Sequence, residues 1–161
     1  MAMRITVVAV GKIKEPYLAA AVAEYSKRIS RYARLEMVSV PEEPISEGDS
    51  PARRAELREM EARRILAKVR DTSTVIACDL AGREMTSEEF SAMLGAYALA
   101  GRSDIVFLIG GPTGLAPQAL KRADDRVCFS KMTFPHQLMQ VILLEQVYRA
   151  FKILRNEPYH L

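Results

Sequence analysis

The sequence predicts an α/β protein: one parallel sheet with helices on both of its faces. Three observations carry that expectation. Short runs rich in Val, Ile and Leu recur along the chain, each of strand length. Longer stretches between them repeat their apolar residues three and four apart, as the buried stripe of a helix does. The two signals alternate from one end to the other. With 161 residues, 49% apolar and 27% charged, the chain has the size and balance of one globular domain. No internal repeat or linker divides it, so residues 1–161 read as a single unit.

The elements follow in order. Arg4 to Val10 is a buried strand ending at Gly11. Glu15 to Tyr32 is a helix with Pro16 in its first turn, and Leu18, Val22, Tyr25, Ile29 and Tyr32 form its apolar stripe. Leu35 to Val40 is the second strand. Pro41 to Ser50, with two prolines, a glycine and four acidic residues, is a loop. Pro51 to Val69 is a helix with Ala55, Ala62, Leu66 and Val69 on one side. Its basic residues are interleaved with Glu56, Glu59 and Glu61. That pattern suits a solvated face crossed by helix-spaced ion pairs, an RNA-contacting surface being the other reading. Thr74 to Leu80 is the third strand and Ala81-Gly82 a turn; Thr86 and Glu89 make a capping box for a helix to Leu99. Asp104 to Ile109 is the fourth strand, Pro117 to Ala123 a short helix, Arg126 to Ser130 the fifth strand, and Pro135 to Leu154 the last helix.

Composition excludes several classes. A net charge of +3, from 23 basic and 20 acidic residues, is too mild to mark a nucleic-acid binder by itself. Cys78 and Cys128 form neither a disulfide framework nor a zinc spacing; buried free thiols of a cytoplasmic protein are expected, and no metal site. The early apolar run Ile5 to Val10 is too short for a signal-peptide core or a membrane span.

Chemistry concentrates in three places. Gly110-Gly111-Pro112-Thr113-Gly114-Leu115 follows the fourth strand, where ligands of open α/β sheets bind. Glycines there let main chain approach a ligand, and a branched side chain at Gly111 is expected to obstruct that approach. The turn is neither a Walker A loop nor G-x-G-x-x-G, and a plain structural turn explains it equally well. Phe129-Ser130-Lys131-Met132-Thr133-Phe134-Pro135-His136 mixes small polar and apolar side chains, as suits a pocket for a flat, partly apolar ligand. In its structural reading Thr133 caps the last helix and Pro135 occupies the first turn. That helix is apolar nearly all round, with only Glu145, Arg149 and Lys152 gathered into a stripe on its later half. Such a helix needs burial on nearly all sides, for which a homodimer interface is the natural solution, core burial in a monomer being the other reading.

These segments, with Val7-Ala9-Val10-Gly11-Lys12 at the start, Leu144-Glu145-Gln146-Val147-Tyr148-Arg149-Ala150 within the last helix and Pro158-Tyr159-His160 at the end, resemble the ribosomal RNA large subunit methyltransferase H family of the SPOUT class. The resemblance spans the chain, and its specificity lies in the order and spacing of the segments. It implies a SPOUT fold with a C-terminal trefoil knot, an obligate homodimer, and S-adenosyl-L-methionine held by Cys78, Gly110, Gly111 and Phe129, Ser130, Lys131, Met132, Thr133 and Phe134. It also implies methylation of N3 of a pseudouridine in large-subunit ribosomal RNA. Two departures stand out: family members commonly carry arginine where this chain has Gln140, and lysine or arginine at Leu161. Each removes a positive charge from the region expected to face RNA or the methionine carboxylate.

For the chemistry, His136, Glu145, Arg149, Tyr159 and His160 are the candidates near the acceptor. A histidine could take the N3 proton and an arginine could stabilise the anion that develops on the base. His136 could equally brace the start of the helix. The rival function is a non-catalytic nucleotide- or RNA-binding α/β module using the same glycine turn.

Overall fold

The computed structural model describes residues 2–159. Its five strands are β1 (Met3–Val10), β2 (Ala33–Val40), β3 (Thr74–Glu84), β4 (Asp104–Ile109) and β5 (Asp125–Cys128). The helices are α1 (Pro16–Ile29), α2 (Pro51–Leu66), α3 (Ser87–Leu99), α4 (Pro117–Arg122) and α5 (His136–Leu154). Every strand pairing is parallel and the order across the sheet is β2-β1-β4-β3-β5. The α/β class expected from the alternation is what the structure has.

Alternate side chains of the strands divide the core into two layers, as the pleat requires. Ile5, Val7 and Ala9 of β1, with Ile105, Phe107 and Ile109 of β4, pack against α1, α3 and α5. Val8 and Val10, with Val106 and Leu108, pack on the other face against α2 and α4. The central strands β1 and β4 are thus covered on both sides, which explains their unbroken apolar runs.

Three local expectations need correction. β3 does not end at Leu80 but runs on to Glu84, with Ala81-Gly82 inside it and a register break against β5 between Cys78 and Arg83. Gly82 is needed there because a Cβ would lie 2.7 Å from the Arg126 carbonyl carbon. Helix α2 buries Leu57, Glu61, Ala62 and Ile65; of the expected side, Ala62 alone is buried. The N-cap of α5 is Pro135, with no side-chain cap from Thr133. By contrast, Thr86 caps α3 as expected, its hydroxyl oxygen accepting from the Glu89 N–H.

Candidate functional site

The loops after β4 and β5 flank the carboxyl end of β3 and enclose a cleft of ≈ 830 Å³. That volume falls within the roughly 300–1,000 Å³ typical of small-molecule sites. Its walls bring together Cys78, Gly110, Gly111, Phe129, Ser130, Met132, Thr133, Phe134 and His136. Lys131 stands apart: its side chain is 84% exposed and its ammonium lies 4.0 Å from Glu84 on the outside. Ser130 shapes its own loop, its Oγ accepting from the Met132 N–H at 2.9 Å.

The glycine turn closes on itself, with the Gly114 N–H donating to the Gly111 carbonyl. A Cβ on Gly110 would meet the Gly114 carbonyl carbon at 2.6 Å, and one on Gly111 would meet Val10 Cγ1 at 3.1 Å and Glu61 Oε2 at 3.5 Å. Both directions lead into protein. A side chain at Gly111 would therefore push the turn off its support, not stand in the ligand space as expected. The glycines give the turn its shape, and the shape leaves main chain lining the cleft.

Helix α2 holds the surroundings of this turn. Arg58 donates from Nη1 to the Thr113 carbonyl at 3.3 Å. Arg64 donates to the Pro41 carbonyl at 3.0 Å and pairs with Glu43. Buried Glu61, 4% exposed, accepts the Glu43 N–H at 3.0 Å. Burial pushes the Glu61 carboxyl above its ordinary range, against the lowering effect of that hydrogen bond. The solvated ion-pair face is real at Arg53–Glu56, but Arg58, Glu61 and Arg64 tie the loops after β2 and β4 to the helix. Neither Arg58 nor Glu61 was marked by the sequence, because a charge in an apparently solvated helix carries no sign of what it reaches.

His136 opens α5 at the cleft, with Nε2 3.6 Å from Glu42 Oε1. The Lys14 N–H donates to Gln137 Oε1 at 2.9 Å, fixing the helix start against the segment after β1. Burial, and second the charge of Asp79, push the Cys78 thiol up to about 12, so it is protonated and poorly nucleophilic at neutral pH. Cys128 is buried and points its thiol at the Ser130 carbonyl.

Glu145, Arg149 and Tyr159 form a separate cluster. Arg149 pairs with Glu145 at 3.1 Å, the Tyr159 hydroxyl donates to Glu145 at 3.1 Å, and the Arg149 guanidinium lies 4.8 Å from the Tyr159 ring centroid. Burial and the adjacent Glu145 charge push the Tyr159 hydroxyl up to about 12. His136 and Glu145 are nine residues apart on one helix, about 13.5 Å along the axis and half a turn round it. Within one chain, then, the cluster and His136 face opposite ways. His160 and Leu161 lie outside the described residues. Gln140, expected at an RNA- or cofactor-facing position, is buried in the inner face of α5 at 6% exposure, so its lack of charge serves the core. Among the described residues no group of His, Cys, Asp and Glu could hold a metal ion, and no helix is long and apolar enough to cross a membrane.

Fold and cleft together define the class: a parallel α/β protein with a ligand-sized cleft at the carboxyl ends of its strands. Residues 3–160 match the family described as "Predicted SPOUT methyltransferase". A Clostridium perfringens protein named ribosomal RNA large subunit methyltransferase H 1 is 52% identical over 158 residues, covering 98% of this chain and 99% of the relative. A Carboxydothermus hydrogenoformans protein named ribosomal RNA large subunit methyltransferase H matches with the same identity and coverage. A solved Haemophilus influenzae Rd KW20 protein described as "a probable methylase family protein" shares the fold at a TM-score of 0.56 and 15% identity, over 100% of this chain and 72% of that one. The chain belongs to the SPOUT methyltransferases, and within them to the ribosomal RNA large subunit methyltransferase H family. That membership disfavours the non-catalytic binding module.

Proposed function

We propose that the chain methylates N3 of a pseudouridine in large-subunit ribosomal RNA, on the assembled ribosome in the cytoplasm, using S-adenosylmethionine and acting as a homodimer. The observation that carries this reading is the cleft, walled by main chain on one side and aromatic side chains on the other, in a chain of that family. Its chemistry suits the cofactor. Phe129, Phe134 and Met139 offer apolar surface, Gly110 and Gly111 bring main chain to the walls, and Ser130 and Thr133 add small polar residues. An oxygen of Asp79, which also lines the cleft, is buried without a donor. The C-terminal trefoil knot belongs to this reading through the family alone.

The bound cofactor supplies a methyl group activated by the sulfonium. The chain's own task is orientation, exclusion of water and custody of one proton. In this reading His136 takes the N3 proton at the cleft mouth, with Glu42 beside it to stabilise the imidazolium. Glu145, Arg149 and Tyr159 reach the acceptor from a second copy. Leu138, Val141 and Ile142, half-buried on the outer side of α5 beside that cluster, are the apolar surface on which the copies meet.

The test is incubation of labelled S-adenosylmethionine and purified protein with ribosomes from a strain lacking it, followed by mapping of the methyl group. One new methyl on N3 of a pseudouridine is expected. Transfer to another atom, or better transfer to naked RNA than to ribosomes, would overturn the reading.

A further inference from the structure

Asp79 stands in the cleft wall in an unusual position. It follows Cys78 where β3 leaves its pairing with β4, and its Oδ2 is buried with no hydrogen-bond donor. Among the described residues two other buried polar side-chain atoms share that condition, Thr74 Oγ1 and Arg54 Nε, and neither residue lines the cleft. A buried acceptor without a donor costs about 1–3 kcal/mol, more if it is charged. Such a group persists where a ligand supplies the donor.

The sheet order says which part of a ligand that is. β3 lies between β4 and β5, and the loops after those two strands form the opposite walls. A ligand stretched from one wall to the other crosses the end of β3 with its middle, not with either end. The middle of S-adenosylmethionine is the ribose. Its vicinal hydroxyls are two O–H donors side by side, and a carboxylate is an acceptor-only group with two oxygens to match them. Arg58, by contrast, stands beside the glycine turn and is already engaged with Thr113, so it does not neutralise Asp79 through any hydrogen bond in the structure. Resting on the methyltransferase reading above, we infer that Asp79 is the ribose-binding residue of the cleft, accepting the 2′- and 3′-hydroxyls of the cofactor. It selects ribonucleosides over deoxyribonucleosides and does not contact the ammonium at the methionine end.

The experiment is calorimetry on wild type and Asp79→Asn with three probes. S-Adenosylhomocysteine carries ribose and the amino-acid end, 5′-methylthioadenosine carries ribose alone, and 2′-deoxy-5′-methylthioadenosine lacks one hydroxyl. Asp79→Asn should weaken the first two alike, by about tenfold or more, the loss of one charge-assisted hydrogen bond. The deoxy probe should bind wild type more weakly than its parent, and this preference should shrink in the variant. Melting of the unliganded variant should be unchanged or higher, since an unpartnered buried charge has been removed, whereas a structural role would lower it. A loss confined to S-adenosylhomocysteine assigns Asp79 to the ammonium and overturns the inference. Equal binding of all probes by both proteins overturns it too, while leaving the cofactor reading intact. Failure of the wild type to bind any of them overturns both.

Discussion

The two halves of α5 are both rich in apolar residues and differ in the polar stripe of the later half and in what covers them. On its inner side the whole helix is sealed by the core, through Gln140, Leu143, Leu144, Val147, Ala150 and Phe151. The outer side of the later half is closed by the chain itself: Tyr159 lies over Arg149 and bonds Glu145, and Glu157 bridges Tyr32 and Lys152. The outer side of the first half, at Leu138, Val141 and Ile142, is apolar and half-buried. One helix thus carries a surface finished within the chain and an apolar surface left half-buried. Apolar content predicts that a helix must be covered; it does not say by what.

The largest expected effects come from attacking each half separately. Leu138→Glu with Val141→Glu should convert a particle of twice the 18.0 kDa chain mass into a monomer by light scattering. Methyl transfer should fall by about a hundredfold or more, the scale of losing acid–base groups, with cofactor binding within about threefold of wild type. A variant that stays dimeric, or a monomer with full activity, breaks the distinction between the halves. Deleting Tyr159 to Leu161 should differ in sparing dimerisation, with cofactor binding again kept and methylation of ribosomes nearly abolished. With a charge of only +3 per chain the protein cannot rely on the 6–10 phosphate contacts that grip a duplex, so a local contact from the tail has to count.

The fold was legible in the sequence for a physical reason. Strands buried on both faces must be apolar throughout, and β4 was placed at Asp104–Ile109 with both ends correct. The α3 cap was legible because Thr86 and Glu89 satisfy a rule of local geometry. The path of β3 was not, since Ala81-Gly82 is turn chemistry spent on a register break inside a strand. At the site, spacing and resemblance found the two loops but not Asp79, Arg58 or Glu42. Each is an ordinary charged residue whose meaning comes from what tertiary structure sets beside it. A charged residue at the end of a buried strand was the one available signal for Asp79.

A smaller effect is expected at the glycine turn, which tests whether it acts through shape. Gly110→Ala forces a methyl to 2.6 Å from the Gly114 carbonyl carbon, so the turn must open. Strain of this kind costs about 1–3 kcal/mol, readable as a shift in the urea midpoint, and cofactor affinity should fall with it. Gly114→Ala meets nothing in space but must adopt φ +86, so it should destabilise through backbone conformation alone. If Gly110→Ala loses cofactor binding with no loss of stability, the glycine meets the ligand directly and the shape argument fails.

The smallest effect sharpens the same contrast between covered and uncovered surfaces, at α2. Glu61 looks from sequence like one more solvated partner for arginines, yet it is 4% exposed beneath Gly111. Burial raises its pKa, Glu42 and Glu43 add to the rise, and the Glu43 N–H and Arg64 oppose it. A carboxyl whose pKa is higher folded than unfolded favours the folded state fully below the unfolded value of 4.5 and loses that contribution as pH rises through the folded value. At neutral pH the ionised group is therefore a net cost. Glu61→Gln keeps an oxygen to accept the Glu43 N–H and removes the charge. It should raise Tm at pH 7.5, and the gain should vanish as pH falls toward 4.5. Glu61→Ala should lower Tm at both pH values, because the Glu43 N–H then loses its acceptor. A Glu61→Gln variant less stable than wild type at pH 7.5 would mean that Arg64 and the Glu43 N–H outweigh burial, and that this charge belongs to the covered side of the molecule at no cost.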